Sequence, residues 1–499
     1  MMKRAIAVYT VILLCIGSLK ITAQESNPFH DRAYWKTNPT ISSVETKIKK
    51  GASPTASNSH GFDAVCYAIL EKASNETIIH LINKGNDVNK RTHDARTYIF
   101  WAAYKGNLEL MKYLVANGAK TDIVDGTGYS LLLFAAVTGQ TDKKIYEYCI
   151  AQGADVVNEV NKDGANALLL ILPHLNDFDL VTYFTKKGLD LYGEDTLGNN
   201  AFNYAAKKAN IPILEQLKKK GISHNGKNEE GGNAMIMASR TRRKANPLSF
   251  FKYLENLGVA SNVTTNKGIT PLHGLAYNAK DTAVFEYFVS KGVDVNQKDV
   301  NGNTALINAA YRNTLPVVTL LANKGKDVTI TNNEGVSALA RAVQRNTPEI
   351  VEFLLTAGAN VNAVDKKGNT IGYYLIKSFS SKKENDFDKK VALLKKHGWN
   401  SQISEGNGST LFHIAMEKHS IPLLKKIHAM GININTKDKN GNTALHLAAM
   451  KSKNPKILKY LMTIGADKKI VTEFNESVYD LATENELLKE NNSSLNFLK

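Results

Sequence analysis

Apolar residues recur along the chain in short stripes of helical spacing, and a turn that contains glycine follows each stripe. In residues 348–355, for example, Ile350, Val351 and Leu354 fall on one side of a helix, and Gly358 follows. Glycine recurs in this place at positions 51, 85, 118, 153, 188, 221, 258, 292, 325, 358, 398, 431 and 465, at intervals of 33 to 40 residues. A period of this length predicts a stack of helical units.

A second glycine follows most of these glycines by ten residues, which divides each period into a constant part and a variable part. Ala95 and Asn475 keep this spacing without the glycine. The variable part contains two insertions, at residues 240–246 and 379–388. We therefore expect one connection that holds the units in register and another that tolerates extra residues.

The residues around the predicted helices suit helix ends. Thr304 can accept the free amides of a first turn, and asparagine, which caps equally well, takes this place at positions 166, 200 and 233. Pro271 occupies a first helical position, and Gly358 can take the left-handed conformation that ends a helix. Each unit is thus predicted to contain a first helix, a turn and a second helix.

Residues 443–449, Thr-Ala-Leu-His-Leu-Ala-Ala, together with Gly-Ala-Asp at 465–467, resemble the ankyrin repeat. Residues 270–273, Thr-Pro-Leu-His, carry the same resemblance, which extends over about residues 38–485. The resemblance implies an all-α solenoid of helix-turn-helix units joined by β-hairpin fingers, with about twelve full repeats plus terminal caps. The family usually binds protein partners.

The expected organisation has five parts. They are a signal peptide at 1–23, a linker at 24–37, a partial N-terminal capping repeat at 38–57, twelve repeats at 58–471, and a C-terminal capping repeat and tail at 472–499.

The first 23 residues have the order of a secretory signal. Lys3 and Arg4 precede an apolar run at residues 5–17, and small Ala23 offers a cleavage site. The run is shorter than the approximately 20 residues that span a bilayer, although an uncleaved anchor is the alternative. We expect export to the periplasm of a Gram-negative bacterium. An extracellular or envelope-bound location is the alternative.

The chain is basic, with 63 Lys and Arg against 47 Asp and Glu and a formal net charge of +16. This charge favours acidic partners, and an exported protein is not expected to meet nucleic acid. Cys66 and Cys149 lie two repeats apart, roughly 20 Å at the usual spacing of packed helices, so no disulfide between them is expected. Nothing in the composition predicts an oligomer, and we expect a monomer.

No pattern in the chain indicates catalysis. Motifs of the types Cys-x-x-Cys, His-Glu-x-x-His and Gly-x-x-x-x-Gly-Lys are absent, and neither insertion contains His or Cys. His273, His413 and His446 occupy one slot of the repeat, where the resemblance implies a structural hydrogen-bonding role together with Thr270 and Thr443. We expect no cofactor, no metal site and no enzymatic activity.

The resemblance places partner binding on the finger tips and on the concave face of the first helices. Basic and aromatic residues near the ends of the first helices are the candidates: Tyr104, Lys105, Lys207, Lys208, Arg240, Tyr277, Tyr311, Arg312, Arg345, Lys377 and Lys451. Tyr and Arg often anchor interfaces. The competing interpretation is an ordinary solvated surface. We expect an acidic protein partner, and the alternative is a non-protein polyanion, such as an acidic glycan or envelope polymer.

Overall fold

The computed structural model describes residues 27–241, 243–490 and 494–499, so the predicted signal segment lies outside the described residues. The described residues divide into two compact units, one that ends at residue 162 (unit 1) and one that begins at residue 163 (unit 2). All regular elements in the described ranges are helices, without a β-strand. The all-α repeat fold expected from the sequence is confirmed.

Unit 1 consists of first helices and second helices in alternation. The first helices are Arg32–Lys36, Ala64–Leu70, Tyr98–Lys105 and Leu131–Thr138. The second helices are Ile41–Lys49, Asn75–Ile82, Leu108–Ala116 and Lys143–Ala151. Short 3-10 helices cover Pro28–His30 and His93–Ala95. Each first helix packs against the next first helix, which buries apolar side chains between repeats.

Unit 2 continues the same alternation. Its first helices are Ala167–Ile171, Ala201–Ala206, Ala234–Ser239, Pro271–Leu275, Ala305–Arg312, Ala338–Arg345, Ile371–Ser378, Leu411–Ala415, Ala444–Lys451 and Val478–Glu484. Its second helices are Asp179–Lys186, Ile211–Lys219, Leu248–Asn256, Thr282–Ser290, Leu315–Gly325, Pro348–Thr356, Glu384–Lys396, Ile421–His428, Lys456–Thr463 and Glu486–Glu490. Short 3-10 helices cover Leu172–His174, Ser381–Lys383, Met416–Lys418 and Asn496–Leu498.

The helix starts follow from the capping residues. Asn166 and Asn200 accept hydrogen bonds from the amides three residues later, at 3.0 and 3.2 Å, and therefore cap as expected. Small residues then let neighbouring first helices approach, and Ala309 and Ala310 are fully buried. The cores of both units thus run along the contacts between successive helices.

The segment from the end of each second helix to the next first helix, which we call a finger, is a tight turn. In one finger, the amide of Asp299 donates to the carbonyl of Asn303 at 3.0 Å. The described fingers contain one isolated antiparallel bridge, between Thr331 and Ser337. The β-hairpins implied by the resemblance are therefore reduced to turns, because a single backbone pair is too short to form a regular strand.

Adjacent fingers are hydrogen-bonded to one another. The amide of Val300 donates to the carbonyl of Lys267 in the preceding finger at 2.8 Å, and Asn333 donates to Asn301 at 2.9 Å. Gly302 has φ +75°, and a Cβ there would lie 2.5 Å from the backbone nitrogen of Asn333. An added residue would break this pairing, which explains the constant glycine spacing.

The helix-to-helix connections are tied across repeats by side-chain amides. In each case the side-chain amide lies between the first and the second helix of one repeat. It donates to backbone carbonyls at the end of the first helix of the repeat before. These residues are Gln140 in unit 1 and Asn210, Asn246, Asn313, Asn346 and Asn485 in unit 2. They satisfy carbonyls that the helix ends leave without partners.

The N-terminus differs from the expected linker at residues 24–37 and single capping helix. Phe29 and Trp35 are fully buried, and the indole of Trp35 donates to the carbonyl of Phe29 at 2.9 Å. Helix Arg32–Lys36 packs against Ala64–Leu70 in the manner of a first helix. The described part of the expected linker thus supplies the first helix of this pair, because Phe29 and Trp35 are buried and its helices lie against Ala64–Leu70.

The insertion at residues 379–388 is largely helical. Helix Glu384–Lys396 is 13 residues long, and a 3-10 turn precedes it. Phe387, from the insertion, is almost fully buried against Phe379. The extra residues therefore lengthen the second helix and add to the core of the repeat.

Candidate partner-binding surface

The candidate residues lie at or just beyond the ends of first helices, as their register requires. Lys208, Arg240, Tyr277, Arg312, Arg345 and Lys451 are exposed, whereas Tyr104, Lys105, Lys207, Tyr311 and Lys377 are half-buried. The structure brings them together in separate groups, each with its own surroundings.

Three candidates of unit 2 line one cleft of about 440 Å³, which we call the central cleft. Arg240, Tyr277 and Arg312 come from three successive repeats and contribute to its wall. The hydroxyl of Tyr277 donates to Oδ1 of Asn308 at 2.9 Å, which fixes the ring. Asp299, from a finger, is the acidic residue that lines the cleft. The cleft thus combines two guanidinium groups with a positioned phenol.

A second group lies further along unit 2. The guanidinium of Arg345 lies 5.0 Å from the centre of the Tyr311 ring and donates to its hydroxyl at 2.9 Å. Arg341 approaches the same ring at 5.6 Å. Tyr311 thus holds two cations, since an aromatic face attracts positive charge.

Lys207 is less available than its register suggests. Its ammonium lies 3.5 Å from the centre of the Tyr204 ring. Burial lowers the pKa of Lys207 to about 8, and the charge of Asp195 opposes that shift only in part. The neighbouring Lys208 donates to Nδ1 of His174 at 3.0 Å, and burial together with Arg243 lowers its pKa. Lys207 is therefore packed into the protein more than it is presented to a partner.

Lys377 and Lys451 lie in acidic surroundings. Lys377 forms an ion pair with Glu417, and both the hydrogen bond and the charge of that carboxylate outweigh burial and raise its pKa. Lys451 lines a second cleft of about 270 Å³ with Glu405, Glu417 and Asp438. Carboxylates outnumber the cations in this cleft, whereas two arginines and one aspartate line the central cleft.

In unit 1, Tyr104 and Lys105 form a small aromatic and basic group. The ammonium of Lys105 lies 5.1 Å from the centre of the Tyr104 ring. Burial lowers the pKa of Lys105, and the charge of Lys72 adds to the effect. No carboxylate forms an ion pair with Lys105 in the described part of the chain.

The threonine and histidine residues of the repeat slot tie first helices to the next finger. The amides of Thr270, Thr410 and Thr443 donate to Nδ1 of the histidine three residues later, at 3.0 to 3.1 Å. Because Nδ1 accepts, Nε2 carries the proton and donates to the carbonyls of Asn303, Asn442 and Ile470 at 2.9 to 3.0 Å. Burial lowers the pKa of His273, His413 and His446, which keeps the rings neutral.

The fingers carry apolar side chains that the helix register did not select. Among the described residues, the large apolar residues exposed by 47% or more all lie in fingers: Val124, Val157, Val160, Tyr192, Val300, Val364, Ile403 and Phe474. Phe474 is 82% exposed. An isolated apolar residue within a polar finger was the available signal in the sequence. The fingers therefore combine polar turns with apolar tips.

Other kinds of site receive no support from the described residues. No group of three or more His, Cys, Asp or Glu side chains in residues 27–241, 243–490 and 494–499 is arranged to hold a metal ion. Over the same ranges, no helix has both the length and the apolar character needed to span a bilayer. Cys66 and Cys149 are free and buried, which confirms that they do not pair.

Comparison with known proteins identifies the family. The profile of ankyrin repeats (3 copies) matches residues 64–160, 99–195, 235–332, 272–365 and 309–388, and that of ankyrin repeats (many copies) matches 411–462. Together these matches cover more than half of the chain. The protein belongs to the ankyrin repeat family, whose repeats generally serve as protein-interaction scaffolds.

Similar individual proteins share the repeats with this chain. The phosphocholine transferase AnkX of Legionella pneumophila is 26% identical over 216 residues, which are 43% of this chain and 20% of that protein. The human transient receptor potential cation channel subfamily A member 1 is 24% identical over 361 residues, 55% of this chain and 32% of that protein. The palmitoyltransferase AKR1 of Saccharomyces cerevisiae is 28% identical over 147 residues, 28% and 18% respectively. The chain spans no more than a third of the length of each of these three relatives.

Proposed function

We propose that this protein is a non-enzymatic scaffold, exported to the periplasm of a Gram-negative bacterium, which holds an acidic protein partner with its first-helix ends and finger tips. The observation that supports a protein as the partner is the position of the exposed apolar side chains. Val300 and Phe474 are 61% and 82% exposed, and the most exposed large apolar residues in the described part of the chain all lie in fingers. A protein interface has an apolar core, whereas a glycan or polymer needs only charge.

The test of partner binding uses the protein from Gln24 onward as bait in an envelope extract. We expect a captured protein that resists a wash at high salt and is lost from a Val300→Ser, Val364→Ser, Phe474→Ser variant. The matched control replaces apolar residues exposed on second helices, Ile211→Ser and Leu315→Ser, and should retain the protein. Capture of a polymer that high salt releases would contradict the proposal and favour the polyanion alternative.

Export rests on the order of basic, apolar and small residues at the N-terminus. The test is fractionation of the source cells followed by N-terminal sequencing. We expect protein in the periplasmic fraction that begins at Gln24. A cytoplasmic protein that keeps Lys3 and Arg4 would contradict export, and a membrane-bound protein that keeps them would indicate the uncleaved anchor.

A further inference from the structure

Two of the three described arginines of unit 1 form ion pairs, whereas Arg91 donates to the backbone carbonyls of Ala95 and Val124. In unit 1, Arg32 forms an ion pair with Glu71, and Arg96 forms ion pairs with Asp94 and Asp125 at 2.9 and 2.8 Å. The described arginines of unit 2 are Arg240, Arg243, Arg312, Arg341 and Arg345. None of these five forms an ion pair with a carboxylate of a described residue. Unit 2 therefore presents a concentration of guanidinium charge that the described part of the chain leaves without counter-ions.

The lysines beside these arginines show the effect of the excess charge. Burial lowers the pKa of Lys280, and the neighbouring Arg312 lowers it further. Lys208 is affected in the same way by Arg243. Lysines on the fingers and second helices differ, since Lys267 pairs with Glu230 and Lys291 with Glu255. The arginines around the central cleft thus lack the carboxylate partners that these two lysines have.

The central cleft lies within this charged region and has a further polar group without a partner. Arg240 lines the cleft from the repeat before the one that supplies Tyr277, and Arg312 lines it from the repeat after. The hydroxyl oxygen of Thr241, which also lines the cleft, is buried and has no hydrogen-bond partner among the described residues. A buried hydroxyl without a hydrogen-bond partner is uncommon in folded proteins.

We propose that the central cleft binds an acidic peptide segment of the partner, whose carboxylates pair with Arg240 and Arg312 and whose backbone lies against the exposed ring of Tyr277. Guanidinium groups bind carboxylates through paired, charge-assisted hydrogen bonds. Arg240 and Arg312 belong to repeats two steps apart, roughly 20 Å at the spacing of packed helices. An extended chain covers this distance in about six residues, so the segment is short. This inference rests on the proposed function and names the chemistry of the partner.

The test measures fluorescence anisotropy of a fluorescein-labelled, amidated peptide, Gly-Glu-Glu-Tyr-Glu-Glu-Gly, with the full chain. We expect the counterpart with glutamine at every glutamate to bind about tenfold more weakly. The Arg240→Gln, Arg312→Gln variant should bind the glutamate peptide about tenfold more weakly than the unchanged chain does. The matched control, Lys219→Gln and Lys220→Gln, removes two exposed charges at the end of a second helix and should leave the affinity unchanged.

Three outcomes of the binding measurements on peptides and heparin would overturn the assignment. They are equal binding of the glutamate and glutamine peptides, equal loss in the cleft variant and its control, and preferential binding of heparin that both variants weaken alike. The last result would indicate a polyanion surface in place of a peptide site. Circular dichroism of each variant checks that it folds. If a partner captured from the envelope is held equally by the cleft variant and the unchanged chain, the scaffold function stands and the cleft assignment fails.

Discussion

The side-chain amide of Asn313 donates a hydrogen bond of 2.7 Å to the backbone carbonyl of Ala276, one repeat earlier in the chain. The same amide donates to Ala279 at 2.9 Å, and Asn313 is 3% exposed. Its Oδ1 accepts from the amide of Thr314 at 2.8 Å. One buried side chain thus satisfies the end of a first helix in one repeat and the start of a second helix in the next.

Replacement of Asn313 by alanine should destabilise unit 2 by about 2 kcal/mol, because two buried carbonyls would lose their donors. Urea titration with hydrogen exchange of peptides from residues 270–350 measures the loss. The matched control is Asn333→Ala, since Asn333 is exposed and donates to Val300 at 2.9 Å. That change should cost about 0.5 kcal/mol. Equal losses at the two positions would refute a special role for the buried amide.

Ala95 occupies a backbone conformation that glycine takes in other fingers. Its φ is +55°, whereas the corresponding Gly128 has φ +87°. A left-handed alanine costs roughly 1 to 2 kcal/mol. Glycine avoids this cost, but it loses more conformational entropy on folding, which offsets part of the gain. We expect Ala95→Gly to stabilise unit 1 by about 0.5 kcal/mol.

The control for this change is Ala116→Gly, in the last turn of helix Leu108–Ala116. Glycine there should destabilise unit 1 by about 1 kcal/mol, because the backbone is helical. Hydrogen exchange of peptides from residues 90–130 in increasing urea measures both variants. Loss of stability in both would show that the positive φ of Ala95 carries no strain.

The repeat order could be predicted because it depends on local chemistry. Gly302 and its equivalents mark most fingers, and finger-to-finger hydrogen bonds such as Val300 to Lys267 keep their spacing constant. The terminal pair that includes Trp35 was missed, since residues 28–36 carry no glycine marker. The amide of Asn313 was also missed, because asparagine is frequent in turns and its reach across repeats depends on packing.

The candidate surface was predictable in part. Register along the first helices selected Arg240, Tyr277 and Arg312, which line one cleft. Register could not show that Lys451 shares a cleft with Asp438, because that carboxylate comes from a finger that the helix pattern does not describe. Contacts between a helix and a finger depend on three-dimensional packing, and a single-sequence pattern does not contain them.

Acidification should destabilise unit 2 through its buried histidines. Burial lowers the pKa of His273, His413 and His446 below the ordinary 6.5. The unfolded chain therefore binds more protons than the folded chain at mildly acidic pH. The stability that these groups contribute is fully present above pH 6.5 and is lost as the pH falls below that value toward the lowered folded pKa.

Urea titrations of unit 2 by hydrogen exchange at pH 7.5 and 5.5 should show this loss. The triple variant with glutamine at the three histidines keeps a side chain that can complete a capping box, and does not titrate. We expect the difference between the two pH values to shrink in that variant. A difference of unchanged size would assign the pH dependence to other groups.

Lys207 should contribute to stability, in contrast to the exposed Arg240. Its ammonium lies over the Tyr204 ring at 3.5 Å, and the side chain is half-buried. Lys207→Glu would place a carboxylate in that position near Asp195 and should destabilise unit 2 by about 2 kcal/mol. Lys207→Met keeps the apolar stem and should cost about 0.5 kcal/mol, as should Arg240→Glu at the surface. Urea titration with hydrogen exchange of peptides from residues 190–260 measures all three variants.

A Lys207→Glu protein as stable as the unchanged chain would refute the packed arrangement of Lys207. If the variant is destabilised as expected, a loss of partner binding in Lys207→Glu would reflect local unfolding. The binding role of this region is therefore tested at Arg240 and Arg312.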